Sequence, residues 1–148
     1  MVAFDEMIAV NLKGLCLVAR AASCVMIPAG RPGAIVNTFS FLSTAATVGT
    51  SAYSAIKAGL DSMIRAIALE AGRHRVRVNN VKPGVIDTSI LRAHGDSIIR
   101  RSPPAALGRV GMLQDIAGVA VWLCTGKARI ITGQSILVDG GLTIPWPR

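Results

Sequence analysis

Three side chains have the types and the spacing for proton transfer. Lys57 follows Tyr53 by four positions, and Ser40 lies thirteen positions before the tyrosine. If this segment is helical, positions i and i+4 share one face, so the lysine ammonium lies beside the phenol. A free tyrosine titrates near ~10, and lowering its pKa to about 7 takes roughly 4 kcal/mol, for which a nearby positive charge is the usual source. The spacing predicts acid–base chemistry at a carbonyl or an alcohol.

Two predicted elements bring these side chains together. Residues 33–40 indicate a buried strand that ends in polar residues, and an apolar-periodic helix is expected over 51–71. We also predict helices over 4–26 and 113–125 and strands over 34–38, 75–81 and 135–138, with a loop and a short helix between 86 and 110. Strands that alternate with helices favour a parallel α/β layer structure.

Five segments in order along the chain resemble the short-chain dehydrogenase/reductase family. Tyr53 and Lys57 fill its YxxxK motif, and Asn11 resembles the helix asparagine of its catalytic tetrad. The other matches are the strand that leads to Ser40, the strand and Pro-Gly loop 77–88, and the final segment 108–141. The resemblance implies an α/β fold, a Rossmann-like parallel sheet with flanking helices that is incomplete on its N-terminal side.

The resemblance also implies a role for each matched residue. Tyr53 exchanges a proton with the substrate oxygen, Ser40 holds that oxygen, and Lys57 lowers the pKa of Tyr53 and binds the cofactor ribose. Asn11 holds a water in the proton relay. The implied catalytic residues are Asn11, Ser40, Tyr53 and Lys57, and the implied cofactor-binding residues are Tyr53, Lys57, Pro83, Gly84, Val85, Ile86 and Thr88. The cofactor is NAD or NADP, and its hydride reaches or leaves a small alcohol or carbonyl substrate.

One departure from the family concerns the phosphates of that cofactor. The family's TGxxxGxG loop and NNAG strand, which precede the asparagine helix, are not found before Asn11. That loop holds the pyrophosphate through backbone N–H groups. We therefore expect residues 1–148 to be the C-terminal part of a single NAD(P)-binding Rossmann-type domain. Lys82, Phe41 and Asn80 also stand where the family commonly has other residues, and the loop 89–104, which would close over substrate, identifies none.

Each of these positions has a structural alternative. Tyr53 could be a buried ring with a bonded hydroxyl, and Asn11 an ordinary polar residue of an amphipathic helix. Ser43 and Thr38 compete with Ser40, and Thr88 could simply cap the next helix.

Two other functions remain open from the sequence. An inactive remnant could keep the family's homo-oligomer surface on the helices 4–26 and 51–71, with the strand 34–38 as an exposed edge. A basic nucleic-acid module would depend on the net charge of +8 and on the cluster 73–77. Aromatic residues make up only 4% of the chain and none interleave with these arginines, so we predict a solvated turn and no nucleic-acid partner.

Length and composition fit one cytoplasmic enzyme domain. A chain of 148 residues with 51% hydrophobic content suits one domain with buried parallel strands. The apolar stretch 15–28 contains Arg20 and is shorter than ~20 residues, so no membrane span is expected. Cys16, Cys24 and Cys124 form no metal-binding spacing with His74 or His94, so no metal site is predicted and all three are interpreted as small buried hydrophobes.

Overall fold

The computed structural model describes residues 2–93 and 105–145. A continuous helix opens the chain as Val2–Met7 (α1), a π-helical segment Ile8–Gly14 and Leu15–Met26 (α2). Then follow Gly33–Thr38 (β1), Ser51–Gly72 (α3), Val76–Pro83 (β2), Leu113–Cys124 (α4) and Ser135–Val138 (β3). Residues 89–93 are helical, and the rest of the predicted loop to Pro104 lies outside the described residues. The predicted elements are all present, with ends within two residues.

The three described strands form one parallel sheet in the order β1-β2-β3. Gly33 pairs with Val76 at the start of β1, and Asn80 pairs with Ser135 at the start of β3. Within the described chain, β2 is the central strand and β1 has one edge without a partner strand. The fold class is therefore confirmed, as is the exposed edge at 34–38.

The hydrophobic core lies on both faces of β2, because alternate side chains of a strand point to opposite faces. Val76 and Val78 are fully buried against α3, where they meet Leu60 and Ile64. Val81 is fully buried on the other face and packs with Leu123 and Ala128, which belong to α4 and the short turn after it. The helix that carries Tyr53 and Lys57 is thereby fixed to the sheet through its apolar face.

The opening helix has its predicted bounds to within two residues, but its apolar span is longer than the stretch considered for a membrane. Its span Ala3–Met26 has 24 residues and contains an 18-residue stretch of mean hydropathy 1.5, so by length and composition alone it is long and apolar enough to cross a membrane. The expectation of no membrane span considered only the apolar stretch from residue 15, whereas the π-helical segment continues the helix upstream of that residue. Core helices of soluble proteins and signal sequences pass the same test.

The prediction of three buried cysteines was wrong. Cys16, Cys24 and Cys124 are all exposed in this chain. Cys16 and Cys24 lie eight positions apart in α2, on a surface that also exposes Leu17, Val18 and Val25. Apolar periodicity predicted the helix but not which of its sides is covered.

Arg73 and Arg75 of the basic turn are exposed, as the prediction of a solvated turn requires, and two arginines of this cluster also bond to backbone carbonyls. Arg75 has a left-handed backbone with φ of 62°, and its guanidinium donates to the Gly30 carbonyl over 2.6 Å. Arg77 donates to the carbonyls of Ile131 and Thr125, each over 3.4 Å. These two guanidinium groups therefore connect the chain segments at the amino ends of the strands.

Candidate functional site

Ser40 lies just beyond the carboxyl end of β1. The Phe39 N–H donates to the Val81 carbonyl over 2.8 Å, so the chain follows β2 before it turns. Ser40 is 8% exposed, and its hydroxyl accepts a hydrogen bond from the Leu42 N–H over 3.2 Å. This contact caps a short 3₁₀ turn, Phe41–Ser43, and fixes the Ser40 side chain.

The two competing hydroxyls have other surroundings. The Ser43 hydroxyl donates to the Ser40 carbonyl over 3.0 Å, so it is used inside the turn. Thr38 is exposed on the rim of the cleft described below. Of the three, Ser40 is the one whose side chain acts on the Tyr53 phenol and lowers its pKa.

Tyr53 lies in the first turn of α3, which begins after Thr50. Burial raises the pKa of Tyr53 above its ordinary value of 10.0, and the hydrogen bond with Ser40 acts in the opposite direction. The sequence predicts a pKa lowered by Lys57. The structure differs, because removal of the phenol from water outweighs the other influences on its proton.

Lys57 and Asn11 contact each other behind the tyrosine. Lys57 is 6% exposed, and its ammonium donates to the Asn11 side-chain oxygen over 3.1 Å. The same nitrogen lies 5.2 Å from the centroid of the Tyr53 ring and 5.9 Å from that of Phe39. Burial lowers the pKa of Lys57, since the charged form loses hydration.

The π-helical segment explains how Asn11 reaches this position. Asn11 lies in Ile8–Gly14, where the wider helical turn changes the direction of its side chain, and such segments occur often at functional sites. The Asn11 amide nitrogen donates to the Met7 carbonyl over 3.3 Å, while its side-chain oxygen accepts the hydrogen bond from the Lys57 ammonium. The opening helix is thereby joined to α3 at Lys57.

An open cleft of about 520 Å³ lies above the ends of the strands. Ser40 and Tyr53 form part of its wall together with the predicted cofactor residues, whereas Lys57 and Asn11 lie behind that wall. Its described lining consists of Thr38, Phe39, Ser40, Phe41, Tyr53, Pro83, Gly84, Val85, Ile86, Thr88, Ile90, Leu91, Leu113 and Ile116.

Backbone contacts hold the loop after β2 in the cleft wall. The Gly84 N–H donates to the Val138 carbonyl over 3.0 Å, and the Gly111 N–H donates to the Val85 carbonyl over 2.9 Å. A side chain at Gly84 would place its Cβ only 2.7 Å from the Cβ of Asp139. The Thr88 hydroxyl accepts from the Leu91 N–H over 3.3 Å, so the capping alternative for Thr88 holds alongside its place in the cleft.

Sequence reasoning missed several apolar residues of this cleft. Leu113 and Ile116 belong to the first turn of α4, and Leu91 to the helical residues 89–93. The i, i+3 spacing of Leu113 and Ile116 was a usable signal, because it places both on one face of the helix. Leu91 had no comparable signal, since the stretch after Ile86 has no clear period.

The residues described fit one end of a nicotinamide cofactor. The cleft combines the hydroxyls of Ser40 and Tyr53 with an apolar wall formed by Val85 and Ile86, which suits a flat ring beside a polar reacting group. The glycine-rich strand-to-helix turn that holds a pyrophosphate does not occur in residues 2–93 or 105–145. The described residues therefore bear on the ring end of such a cofactor and not on its pyrophosphate.

Comparison with known proteins identifies the family. Residues 2–143 match the family model described as "Enoyl-(Acyl carrier protein) reductase". The chain belongs to the short-chain dehydrogenase/reductase family. A solved member from Mycobacterium marinum, "short-chain type dehydrogenase/reductase", superposes with a TM-score of 0.90 at 31% sequence identity, covering 96% of this chain and 57% of that one.

Two relatives of this dehydrogenase/reductase chain have assigned activities. The human (3R)-3-hydroxyacyl-CoA dehydrogenase is 36% identical over 140 residues, which cover 94% of this chain and 54% of the relative. The mouse 3-oxoacyl-[acyl-carrier-protein] reductase is 40% identical over 134 residues, which cover 90% of this chain and 54% of the relative. The chain thus spans about half the length of these two relatives.

Proposed function

We propose that this chain provides the proton-transfer part of an NAD(P)-dependent oxidoreductase that interconverts an alcohol and a carbonyl. The observation that carries the proposal is the shared cleft. Ser40 and Tyr53 enter it from β1 and α3, and the loop 83–88 enters it from β2. Family membership and the oxidoreductase relatives support the reaction class.

The chemistry assigned to each residue follows from its contacts. Tyr53 gives a proton to the carbonyl oxygen during reduction and takes it back during oxidation, while Ser40 holds the same oxygen by a hydrogen bond. Lys57 is the source of positive charge beside the phenol, and Asn11 keeps its ammonium in place through the 3.1 Å hydrogen bond. A bound nicotinamide supplies or accepts the hydride, and its choice between NAD and NADP is open.

Burial raises the pKa of Tyr53 in this chain, which makes the phenol a weaker proton donor than free tyrosine. Proton transfer in either direction near neutral pH requires a lower pKa. We propose that the residues that would hold the nicotinamide end of a cofactor, which would supply or accept the hydride, are Tyr53, Lys57, Pro83, Gly84, Val85, Ile86 and Thr88.

The proposal is tested by titrating the purified chain with NADH and NADPH and by assaying it with a panel of small ketones. Tyr53→Phe keeps the ring in the cleft wall, so it should retain saturable cofactor binding and lose about 10²–10⁴-fold in kcat, the usual contribution of a positioned acid. Ser40→Ala should also lose rate. Ser43→Ala is the matched control, since its hydroxyl is used inside the turn.

The alternative is a catalytically inactive, truncated family member that keeps an oligomerisation surface. Its support is the exposed apolar side of the opening helix, where Val10 is 72% and Val25 is 74% exposed. Assembly of copies through the helices 4–26 and 51–71 would cover that side. A homo-oligomer by size-exclusion chromatography with light scattering, together with no saturable cofactor binding, would favour this alternative and contradict the dehydrogenase proposal.

The remaining partners and the location are proposed from the reaction class and the composition of the chain. We propose a small-molecule alcohol or carbonyl as substrate, no nucleic-acid or membrane partner, and a cytoplasmic location. The acyl substrates named for two relatives belong to those proteins. A ketone panel that extends from acetoin-sized compounds to long acyl thioesters would find the substrate size.

A further inference from the structure

A buried polar network joins α3 to the carboxyl half of the sheet. Its centre is Asp61 of α3, whose carboxylate accepts from the Lys82 ammonium over 3.3 Å and from the Ser135 hydroxyl. The Asn80 amide group donates to the Ser135 oxygen over 2.8 Å. Arg65, one turn along α3, is the second cation on Asp61, at 3.5 Å. The network therefore includes α3, β2 and β3.

The burial of this network is unusual for its residue types. Lys82 is 4% exposed and Asn80 is fully buried, on the β2 face where Val76 and Val78 also meet α3. Burial alone would raise the pKa of Asp61, but the hydrogen bonds from Ser135 and Lys82 and the charges of Lys82 and Arg65 lower it. No buried side-chain nitrogen or oxygen in the described residues lacks a hydrogen-bond partner.

Stability alone gives little reason for a buried pair at this place. The desolvation of two charges consumes most of their mutual attraction, and apolar residues of similar volume often stabilise a core equally well or better. The hydrogen bonds of a buried ion pair are directional, however, so the pair favours one arrangement of the helix and the strand that carry its two residues. The sequence had shown only that Lys82 and Asn80 depart from the family pattern.

The two residues of the ion pair belong to the two chain segments that form the walls of the cleft, Asp61 to the helix of Tyr53 and Lys82 to the strand before the Pro-Gly loop. Asp61 lies one helical turn after Lys57 and two after Tyr53, so all three share one face of α3. Lys82 directly precedes Pro83 and Gly84. We propose that Asp61 and Lys82 are positioning residues, which hold the tyrosine wall against the Pro-Gly wall and keep Tyr53 within hydrogen-bond reach of Ser40.

The contact that this positioning controls can be measured without turnover. Tyr53 is the only tyrosine of the chain, so labelling the ring carbon that bears the hydroxyl gives one NMR resonance, which reports the hydrogen bond and the ionisation of Tyr53. Ser40→Ala defines the resonance position for a Tyr53 without its partner. Lys82→Met removes the charge and retains an unbranched apolar chain. It should move the resonance toward the Ser40→Ala position.

Arg65→Met is the matched control. It removes the other cation from the same Asp61 carboxylate, but Arg65 belongs to α3 itself and its side chain is 58% exposed, so it makes no link to β2. Its resonance should coincide with that of the unmodified chain. In the Ser40→Ala background, Lys82→Met should add no further shift.

The positioning role is refuted if Lys82→Met folds, as judged by circular dichroism, and its resonance stays at the unmodified position. If Lys82→Met does not fold, Asp61→Asn carries the same comparison, because it keeps the size of the side chain and weakens the link to Lys82. The effect of Asp61 and Lys82 on turnover rests on the proposed function, but the NMR result does not. Failure of the chain to bind NADH or NADPH would refute the proposed function and leave the measured coupling between Lys82 and Tyr53 intact.

Discussion

Replacement of Gly84 by alanine is expected to destabilise the chain by displacing the loop after β2. The new Cβ would lie 2.7 Å from the Cβ and 2.8 Å from the Cα of Asp139. Non-bonded carbon atoms pack at about 3.5–4.0 Å, so the overlap approaches one ångström. The atoms that it meets belong to the backbone and its first side-chain carbon, which cannot turn away as the end of a long side chain can.

Asp139 is also held from its other side. Its carboxylate accepts hydrogen bonds from the N–H groups of Gly141 and Thr143, each over 2.9 Å, and from the Thr143 hydroxyl over 2.8 Å. Overpacking of a fixed site costs about 1–3 kcal/mol, and we expect roughly 2–3 kcal/mol here because backbone has to move. At about 2–4 °C per kcal/mol for a chain of this size, Tm should fall by roughly 5–10 °C.

Thermal unfolding followed by circular dichroism measures this effect. Gly59→Ala is the control, since Gly59 is exposed in the middle of α3 and an added Cβ would meet no atom within 4 Å. That variant should gain about 0.5–1 kcal/mol from the better helix propensity of alanine. A Gly84→Ala chain that melts at or above the unmodified Tm would show that the loop does not approach Asp139 as described.

Two further predictions concern protons. Ser40→Ala removes the hydrogen bond that opposes the effect of burial, so the pKa of Tyr53 should rise further. An alkaline titration of phenolate absorbance measures this pKa. Equal midpoints for Ser40→Ala and Ser43→Ala would contradict the assignment of Ser40 as the partner of Tyr53. Arg109 holds the pKa of Asp115 near 2, against an ordinary 3.8, by hydrogen bonds of 2.7 and 3.1 Å. Because that folded-state pKa is lowered, the stabilisation from the ionised carboxylate is present above pH 3.8 and lost as the pH falls toward 2. In Arg109→Met the pKa of Asp115 should rise when titrated by carboxylate NMR, and an unchanged value would exclude Arg109 as its cause.

The local periodicity of the sequence was sufficient to predict the helices and strands, but not to predict which of their sides are buried. The strand 135–138 was predicted to the residue, because a short apolar run between turn residues has few alternatives. Cys16 and Cys24 were predicted in the correct helix, but their predicted burial was wrong. Burial depends on the neighbouring elements that pack on a helix, and the periodicity of the helix does not encode them.

The candidate site shows the same division. Ser40, Tyr53 and Lys57 could be selected by their spacing, because helix and strand geometry converts spacing into proximity. The pKa of Tyr53 could not be predicted, since the balance between burial and a nearby charge depends on distances in three dimensions. Lys82 stood out only as a departure from a family pattern, and its partner Asp61 lies 21 positions earlier in the chain.

The parallel order of the strands has a consequence for how this chain folds. Hydrogen bonds between side chains of neighbouring strands span 43 positions for Asn37 with Asn80 and 55 positions for Asn80 with Ser135. Parallel strands cannot be joined by a tight hairpin, so long loops must close first. The chain entropy lost in closing them is offset only later, when the strands pair. We expect refolding to be slow, with α3 formed early as the surface on which β1 and β2 later meet. A newly made chain would expose the edge of β1 throughout that interval, which makes dilution and low temperature the conditions of choice for its preparation.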